Sequence, residues 1–127
     1  MVTETLASID IDRGAEILKI LDAAKLKVSV AAWMFLSEYE DWRLVVSARL
    51  FDSPGPRSGY GLLRHSLAAA GLAPHKIPTV LILPITDPSI RDLRRIFRKA
   101  KSFEGMRLGG QMIGDRFLQD AYVYRIS

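Results

Sequence analysis

The chain has 127 residues, of which 49% are hydrophobic and 25% charged, with a formal net charge of +4 and no cysteine. This composition is typical of a soluble globular domain that buries a core without disulfides, and the lack of cysteine excludes a thiolate nucleophile and a cysteine zinc site. The longest apolar runs, residues 28–36 and 77–85, are far shorter than the roughly 20 residues that span a bilayer. Residues 1–12 lack the basic start and apolar core of a secretory signal. We therefore expect one cytoplasmic domain, residues 1–127, without membrane contact.

The first part of the chain predicts an amphipathic helix followed by a β-hairpin. Apolar residues recur at helical spacing from Asp12, the expected N-cap, to the lysines Lys25 and Lys27. Residues 28–36 are apolar on both alternating faces, whereas residues 42–51 alternate apolar and polar side chains. Because a short acidic link joins the two runs, they predict an antiparallel hairpin whose first strand is interior.

The middle of the chain predicts a helix, a buried strand and a second helix. Residues 52–56 contain two prolines and a glycine, which cannot continue a strand ladder, and they lead into a predicted helix over residues 57–70. Residues 78–85 are apolar on both faces with prolines near their ends, which indicates a central strand. Thr86 or Asp87 is the expected N-cap of the next helix, with Pro88 in its first turn.

The end of the chain predicts two strands, residues 106–108 and 117–126, joined by a glycine-rich link. Strict alternation places Asp120 on a strand face that also carries Leu118, Tyr122, Tyr124 and Ile126. A carboxylate in such surroundings needs a partner, and we expect that partner to be Arg107 or Arg125. The element order is helix, strand, strand, helix, strand, helix, strand, strand. It predicts an α+β fold, a mixed and largely antiparallel sheet of about five strands with about three packed helices.

The excess positive charge is concentrated in residues 87–101. This stretch holds six basic and two acidic residues, and removing them from the totals of 18 and 14 leaves 12 of each. On a helical wheel the apolar side chains occupy one arc of roughly 120 degrees and the basic ones the opposite arc. The apolar arc holds Ile90, Leu93, Ile96, Phe97 and Ala100. The predicted anion-binding ridge holds Arg91, Arg94, Arg95 and Arg98, with Lys99 and Lys101 beside it.

Two interpretations of this ridge are open. A row of guanidinium groups suits phosphate or carboxylate, which predicts an anionic partner, either nucleic acid or an acidic protein surface. The alternative is a solvated outer face whose last turn favours cations through the helix dipole. The segment has no interleaved aromatic residues and no helix-turn-helix or zinc-finger pattern, so we expect a phosphate-contacting surface at most.

A second anion-binding position is predicted where the turn at residues 52–56 meets the following helix. Arg57 lies in the first turn, where unpaired backbone N–H groups attract anions, and Arg64 lies two turns further along the same side. The alternative is a purely structural turn, because the sequence has no nucleotide-binding glycine motif.

Enzyme chemistry has few candidate residues. His65 and His75 are the two histidines of the chain, and neither has a second histidine at metal-ligand spacing. A small metal-dependent phosphodiesterase or hydrolase is the alternative function, and the carboxylates that would serve it are Asp115, Asp120, Asp52 and Glu104. We expect a non-catalytic binding or accessory module with no cofactor and no metal site.

Two further alternatives concern the predicted strands. A small-ligand cavity lined by Trp33, Trp42, Tyr122 and Tyr124 would suit a sensory domain, although cross-strand aromatic pairs normally stabilise a sheet. A homodimer through an exposed edge strand, either residues 106–108 or the strand that contains Trp42, is the other alternative.

Parts of the chain resemble a group of short bacterial proteins of similar length. The resemblance lies in residues 42–48, in Asp52, in the Gly55-Pro56-Arg57 turn and in residues 120–126. It implies no activity, because no function is assigned to that group. The initial helix and hairpin also resemble the start of sensory domains of the GAF or PAS kind, which implies a small-ligand site but supplies no binding motif.

Overall fold

The structure, a computed structural model, describes residues 6–52, 56–97 and 105–127, except for the side chains of residues 56 and 57. The helices in these ranges are α1 (Ser8–Ala23), α2 (Arg49–Asp52), α3 (Pro56–Ala69) and α4 (Pro88–Phe97), with a 3₁₀ turn at Pro74–Lys76. The strands in these ranges are β1 (Val30–Leu36), β2 (Asp41–Ser47), β3 (Val80–Ile82), β4 (Met106–Leu108), β5 (Gln111–Ile113) and β6 (Arg116–Ile126).

Strand β1 lies at the centre of the sheet, and all of its residues are buried. The strand order is β3-β2-β1-β6-β4, and β5 also pairs with β6. The β2–β3 pair is parallel, and the other pairs are antiparallel. The predicted α+β fold with a mixed, largely antiparallel sheet is therefore confirmed, as is the hairpin with its interior first strand. The described sheet has one strand more than expected.

Helices cover both faces of the sheet, which gives the fold two apolar cores. On one face, α1 and α3 place Leu21 and Leu67 in the core that contains Trp33 of β1. On the other face, α4 places Ile90 and Leu93 in the core that contains β1 residues Ala32 and Met34. Alternate residues of β1 therefore serve different cores, which explains why this strand is apolar on both sides.

The first helix begins and ends earlier than predicted. Its N-cap is Ala7, which makes no side-chain capping bond, and Asp12 lies inside the helix, so the predicted cap is wrong. The C-terminal end is a Schellman motif, because the Leu26 N–H bonds to the Leu21 carbonyl and the Lys25 N–H to the Asp22 carbonyl. Lys25 has the left-handed backbone, with φ of 60°, that such an end requires.

The second half of the predicted strand over residues 42–51 is also different. Strand β2 ends at Ser47, and the chain turns into the short helix α2. Phe51 is fully buried there, whereas Leu50 is 50% exposed. The sequence alternation continues past Ser47 by chance, and burial of the large aromatic ring decides the conformation.

The prediction that residues 78–85 form a central strand is wrong about the strand's place in the sheet. Strand β3 has three residues and lies at the edge of the sheet beside β2. Val80 and Ile82 pack in the α1/α3 core and Leu81 in the α4 core. The run is apolar on both faces because both layers of helices reach this edge.

Two register shifts in β6 overturn the predicted alternation of its side chains. Phe35 and Leu36 of β1 pair with Asp120 and Leu118, and a second shift separates the partners of Ala31 and Ala32. Each extra residue moves the following side chains to the other face. The side chains in the α4 core are consequently Leu118, Ala121, Val123 and Ile126.

One of the two strands predicted as a dimerising edge does not lie at an edge of the sheet. Strand β2 lies between β1 and β3, and residues 44–46 are paired on both sides, so the strand that contains Trp42 is not an edge strand there. Strand β4 does lie at an edge. Dimerisation through β4 stays a prediction.

Gly14 provides a test of how closely α1 packs on the sheet. An added Cβ would meet the Tyr124 hydroxyl and lie 2.7 Å from Trp33 Nε1. We expect Gly14→Ala to lower the free energy of unfolding by about 1–3 kcal/mol through overpacking. Gly61→Ala, in α3 with open space around the added Cβ, should instead raise it by about 0.5–1 kcal/mol. Urea unfolding of both variants measures the difference, and equal effects would contradict this packing.

Candidate anion-binding surface

Helix α4 starts with the predicted cap. The Asp87 carboxylate accepts a hydrogen bond of 2.9 Å from the Ser89 N–H, and Pro88 is the first helical residue. An acidic side chain at this place satisfies a free N–H and interacts favourably with the positive end of the helix dipole. The cap sets the direction in which the basic helix leaves the sheet.

A polar network fixes the start of α4 to the β5–β6 hairpin. The buried Ser89 hydroxyl donates to the Ile113 carbonyl at 2.9 Å and accepts from Arg116 Nη1 at 3.0 Å. Arg116 also donates to Asp87 at 2.8 Å and to Glu38 at 2.6 Å. Burial lowers the pKa of Arg116, but its hydrogen bonds to these two carboxylates and their negative charges outweigh that effect, so its pKa is raised.

Gly114 and Asp92 form the second attachment of α4. The Gly114 N–H donates to the Asp92 carboxylate at 3.0 Å, and Arg95 donates to the other oxygen of the same group. Hydrogen bonds from the Gly114 backbone and from Arg95 hold the pKa of Asp92 below its usual value. Gly114 has φ of 59°, and a Cβ there would lie 2.6 Å from the Pro88 carbonyl carbon, so only glycine allows this close approach.

A surface hollow of 560 Å³ lies beside these contacts and is called the α4 hollow here. It is lined by Pro88, Arg91, Asp92, Arg95 and Gly114. Arg91 is exposed and has no carboxylate partner among residues 6–52, 56–97 and 105–127. The Arg95 side chain is 71% exposed although it pairs with Asp92. The α4 hollow thus presents two outward guanidinium groups and one carboxylate that is already hydrogen-bonded.

The structure divides the predicted arginine ridge. Arg91 and Arg95 line the α4 hollow, whereas Arg94 is half-buried and its Nε donates to the Ser127 carbonyl at 2.7 Å. Ile96, predicted in the apolar arc, is 48% exposed, because the described core contacts of α4 centre on Ile90 and Leu93. The remaining ridge residues, Arg98, Lys99 and Lys101, lie outside the described part of the chain, as does Ala100.

The second predicted anion position does not join this surface. Arg64 is exposed on α3, which packs on the opposite face of the sheet from α4. Arg57 lies in the first turn of α3, and its side chain is outside the description. The two predicted anion positions are therefore separate places on the molecule.

Two of the four carboxylates predicted for an enzyme, Asp120 and Asp52, have structural partners. Asp120 pairs with Arg107, as expected, at 2.5 Å. Asp52 accepts a bond of 3.0 Å from the Ile85 N–H, Asp115 is exposed, and Glu104 lies outside the described residues. Within the described ranges, no three His, Asp or Glu side chains form a group that could hold a metal ion. His65 and His75 are exposed, on α3 and on the 3₁₀ turn.

The aromatic residues of the sheet pack against α1. Trp33 Nε1 donates to the Asp10 carbonyl at 3.0 Å, and the Tyr124 hydroxyl donates to the Ile11 carbonyl. Tyr122 makes an edge contact with Tyr124, their ring centroids 5.3 Å apart. Burial raises the pKa of Tyr124 to about 12. Of the ligand cavity predicted between Trp33, Trp42, Tyr122 and Tyr124, the part beside Trp33 and Tyr124 is thus occupied by the α1 backbone at Gly14.

The network that holds α4 was not predicted from the sequence. Ser89 and Asp92 on α4 lie far along the chain from Gly114 and Arg116, and none of these residues belongs to a recognisable motif. The sequence signal for the hairpin in this network is the Gly-Asp pair at residues 114–115. Such a pair between two β-forming runs is typical of a two-residue hairpin turn. Recognising it would have revealed β5, which the structure pairs with β6.

Comparison of the chain with models of protein families, with curated proteins and with solved structures found no match. In the three described ranges, none of the helices has both the length and the apolarity that a membrane crossing needs.

Asp92→Asn tests the attachment of α4 through pH. Because the folded-state pKa of Asp92 lies below its ordinary value of 3.8, its carboxylate stabilises the fold above that pH, and the contribution is lost as the pH falls through the folded pKa. We expect the variant to be less stable than the wild type at neutral pH and the difference to shrink in acid. Urea unfolding across this range measures it. Asp115→Asn, at an exposed position, is the control, and a difference independent of pH would refute the assignment.

Tyr124→Phe tests the contact between β6 and α1 in alkali. An unfolded tyrosine ionises near pH 10, whereas Tyr124 holds its proton to about pH 12, so the wild type loses stability as the pH rises between these values. The free energy of unfolding of the variant should be lower by about 1 kcal/mol at neutral pH, because a hydrogen bond is lost. It should also fall less steeply than that of the wild type as the pH rises from 10 to 12. Tyr39→Phe serves as the control. Identical alkaline slopes in wild type and Tyr124→Phe would rule out the buried hydroxyl as their source.

Proposed function

We propose that this protein is a non-catalytic binding module of the cytoplasm that contacts an anionic partner through the outer face of α4. The observation that carries the proposal is the pair of outward guanidinium groups, Arg91 and Arg95, on a helix whose first turn is anchored to the sheet. The preferred partner is the phosphate backbone of a nucleic acid.

The charges of the α4 hollow support an anionic partner. Arg91 lacks a carboxylate partner among the described residues, and the pair between Arg95 and Asp92 is mostly solvent-exposed on the arginine side. An exposed ion pair contributes little free energy, so Arg95 can exchange Asp92 for a phosphate at small cost. Asp92 keeps its bond from the Gly114 N–H when Arg95 turns away.

Anchoring of the helix supports the same proposal. Ser89 on α4 and Gly114 in the β5–β6 hairpin make the short contacts that hold the first turns of the helix. The backbone that carries Arg91 and Arg95 therefore needs little ordering when a partner binds. Among the described residues, the lining of the α4 hollow contains no aromatic side chain for base stacking. Contacts to phosphates rather than readout of bases are expected from such a surface.

The partner class follows from the donors on offer. Guanidinium groups bind phosphate through paired N–H donors, and basic residues that follow Arg95 in the sequence lengthen the basic segment toward residue 101. An acidic protein surface offers carboxylates to the same donors and is the alternative outcome of the test.

Binding of a short DNA duplex at a series of salt concentrations tests the proposal. The wild-type affinity should fall as salt rises, and Arg91→Gln/Arg95→Gln should bind more weakly, with a salt slope smaller by about 2 if each arginine contacts one phosphate. Lys76→Gln, at an exposed cation on the 3₁₀ turn, should leave both quantities unchanged.

Two results would contradict the nucleic-acid proposal. One is equal binding by the wild type and by Arg91→Gln/Arg95→Gln. The other is wild-type binding of polyglutamate, lost in the same variant, without binding of DNA, which would assign the surface to an acidic protein partner.

A further inference from the structure

A second basic hollow lies where α1 ends and α2 begins, and it shares no lining residue with the α4 hollow. Its volume is 480 Å³, and it is called the lysine hollow here. It is lined by Lys25, Leu26, Lys27, Ser29, Arg49 and Leu50. The connection from α1 to β1 supplies four of these residues, and the first two residues of α2 supply the others.

The backbone presents the two lysines on the outside. Lys25 and Lys27 have φ angles of 60° and 54°, in the left-handed region that glycine adopts more readily. Leu26 between them and Val28 after them are buried, at 5% and 4% exposure, so alternate residues anchor the segment while both lysines face solvent. The conformation is therefore fixed by the core and not by the charged side chains.

The cations of the lysine hollow are not neutralised within the described part of the chain. No carboxylate lines the hollow among the described residues. Asp22, three residues before Lys25, is engaged by both terminal nitrogens of Arg125 at 2.8 Å each. Lys25, Lys27 and Arg49 thus place three positive charges around one hollow, and their mutual repulsion is relieved by any multivalent anion that enters.

An apolar surface adjoins these charges. Leu50 is 50% exposed and follows Arg49 directly, although neighbouring Phe51 is fully buried. A ligand that satisfies the whole hollow therefore combines several negative charges with an apolar group. Pockets of this kind orient a ligand by a few polar contacts and bind it through apolar area.

We propose that the lysine hollow binds a small molecule with two or more phosphate charges and an apolar or aromatic group, of which nucleoside di- and triphosphates are the representative class. The phosphates lie between Lys25, Lys27 and Arg49, and the apolar group lies on Leu50. This site is independent of the partner surface proposed for α4.

Isothermal titration with ATP and with inorganic tripolyphosphate, at constant ionic strength and without added divalent metal, tests the proposal. Both should bind the wild type, ATP more tightly. Lys27→Gln/Arg49→Gln should weaken both by roughly tenfold or more, because charge-assisted hydrogen bonds are lost. Leu50→Ser should weaken ATP binding and leave tripolyphosphate binding unchanged.

Matched controls separate this site from the α4 hollow. Lys76→Gln, at an exposed cation on the 3₁₀ turn, and Arg91→Gln/Arg95→Gln should bind ATP and tripolyphosphate like the wild type. The substituted side chains of the lysine hollow are exposed, so the fold should persist, and circular dichroism checks it. The single variants Lys27→Gln and Arg49→Gln repeat the test with one charge removed instead of two.

Three results would overturn the proposal. Undiminished tripolyphosphate binding by Lys27→Gln/Arg49→Gln is the first. The second is an equal loss in Lys76→Gln, which would show unspecific attraction to net charge. The third is the absence of ATP and tripolyphosphate binding by the wild type together with loss of DNA binding in Lys27→Gln/Arg49→Gln, which would make the lysine hollow part of a nucleic-acid surface. The first two results do not depend on whether α4 binds its own partner.

Discussion

The antiparallel pairing of β1 with β6 is the contact on which the rest of the structure depends. It joins residues 30–36 to residues 118–126 and so places the first and the last strand of the described chain side by side in the sheet. From this pair, Trp33 and Tyr124 hold α1 on one face through bonds to its backbone carbonyls. On the other face, Arg116 at the start of β6 holds the first turn of α4. Both helical layers are thus positioned by one strand pair.

This arrangement separates charges that serve the fold from charges that remain available. Arg116 and Arg125 are paired with carboxylates on distant segments, Asp87 and Asp22, and they fasten helices to the sheet. Arg91 on α4 and the lysines of the lysine hollow have no such partner in the described part of the chain. A net charge read from composition does not make this distinction, because pairing depends on which segments meet in three dimensions. The proposed binding surfaces consist of cations that have no carboxylate partner in the described part of the chain, together with Arg95, whose ion pair with Asp92 is exposed on the arginine side.

Local patterns predicted most of the elements, since helical periodicity, turn residues and helix caps act within a few residues of one another. The cap of α4 at Asp87 and the helix before Gly71 are examples. The errors arose where a distant contact overrides the local pattern. Burial of Phe51 ended β2 early, bonds to Trp33 and Tyr124 anchor α1 ahead of Asp12, and two extra residues in β6 changed which side chains face α4.

The candidate site shows the same division. The sequence by itself determined that a helix with an apolar stripe and an arginine-rich face follows Asp87, because amphipathicity and capping are properties of adjacent residues. Only the tertiary structure decided that Arg94 is engaged, because its Nε meets the Ser127 carbonyl, whereas the pair of Arg95 with Asp92 spans one helical turn and follows from their spacing in the sequence. It also brought Lys25, Lys27 and Arg49 around one hollow. The physical reason is that a cation's availability depends on the neighbours that chain crossings bring to it, and sequence spacing does not specify those neighbours.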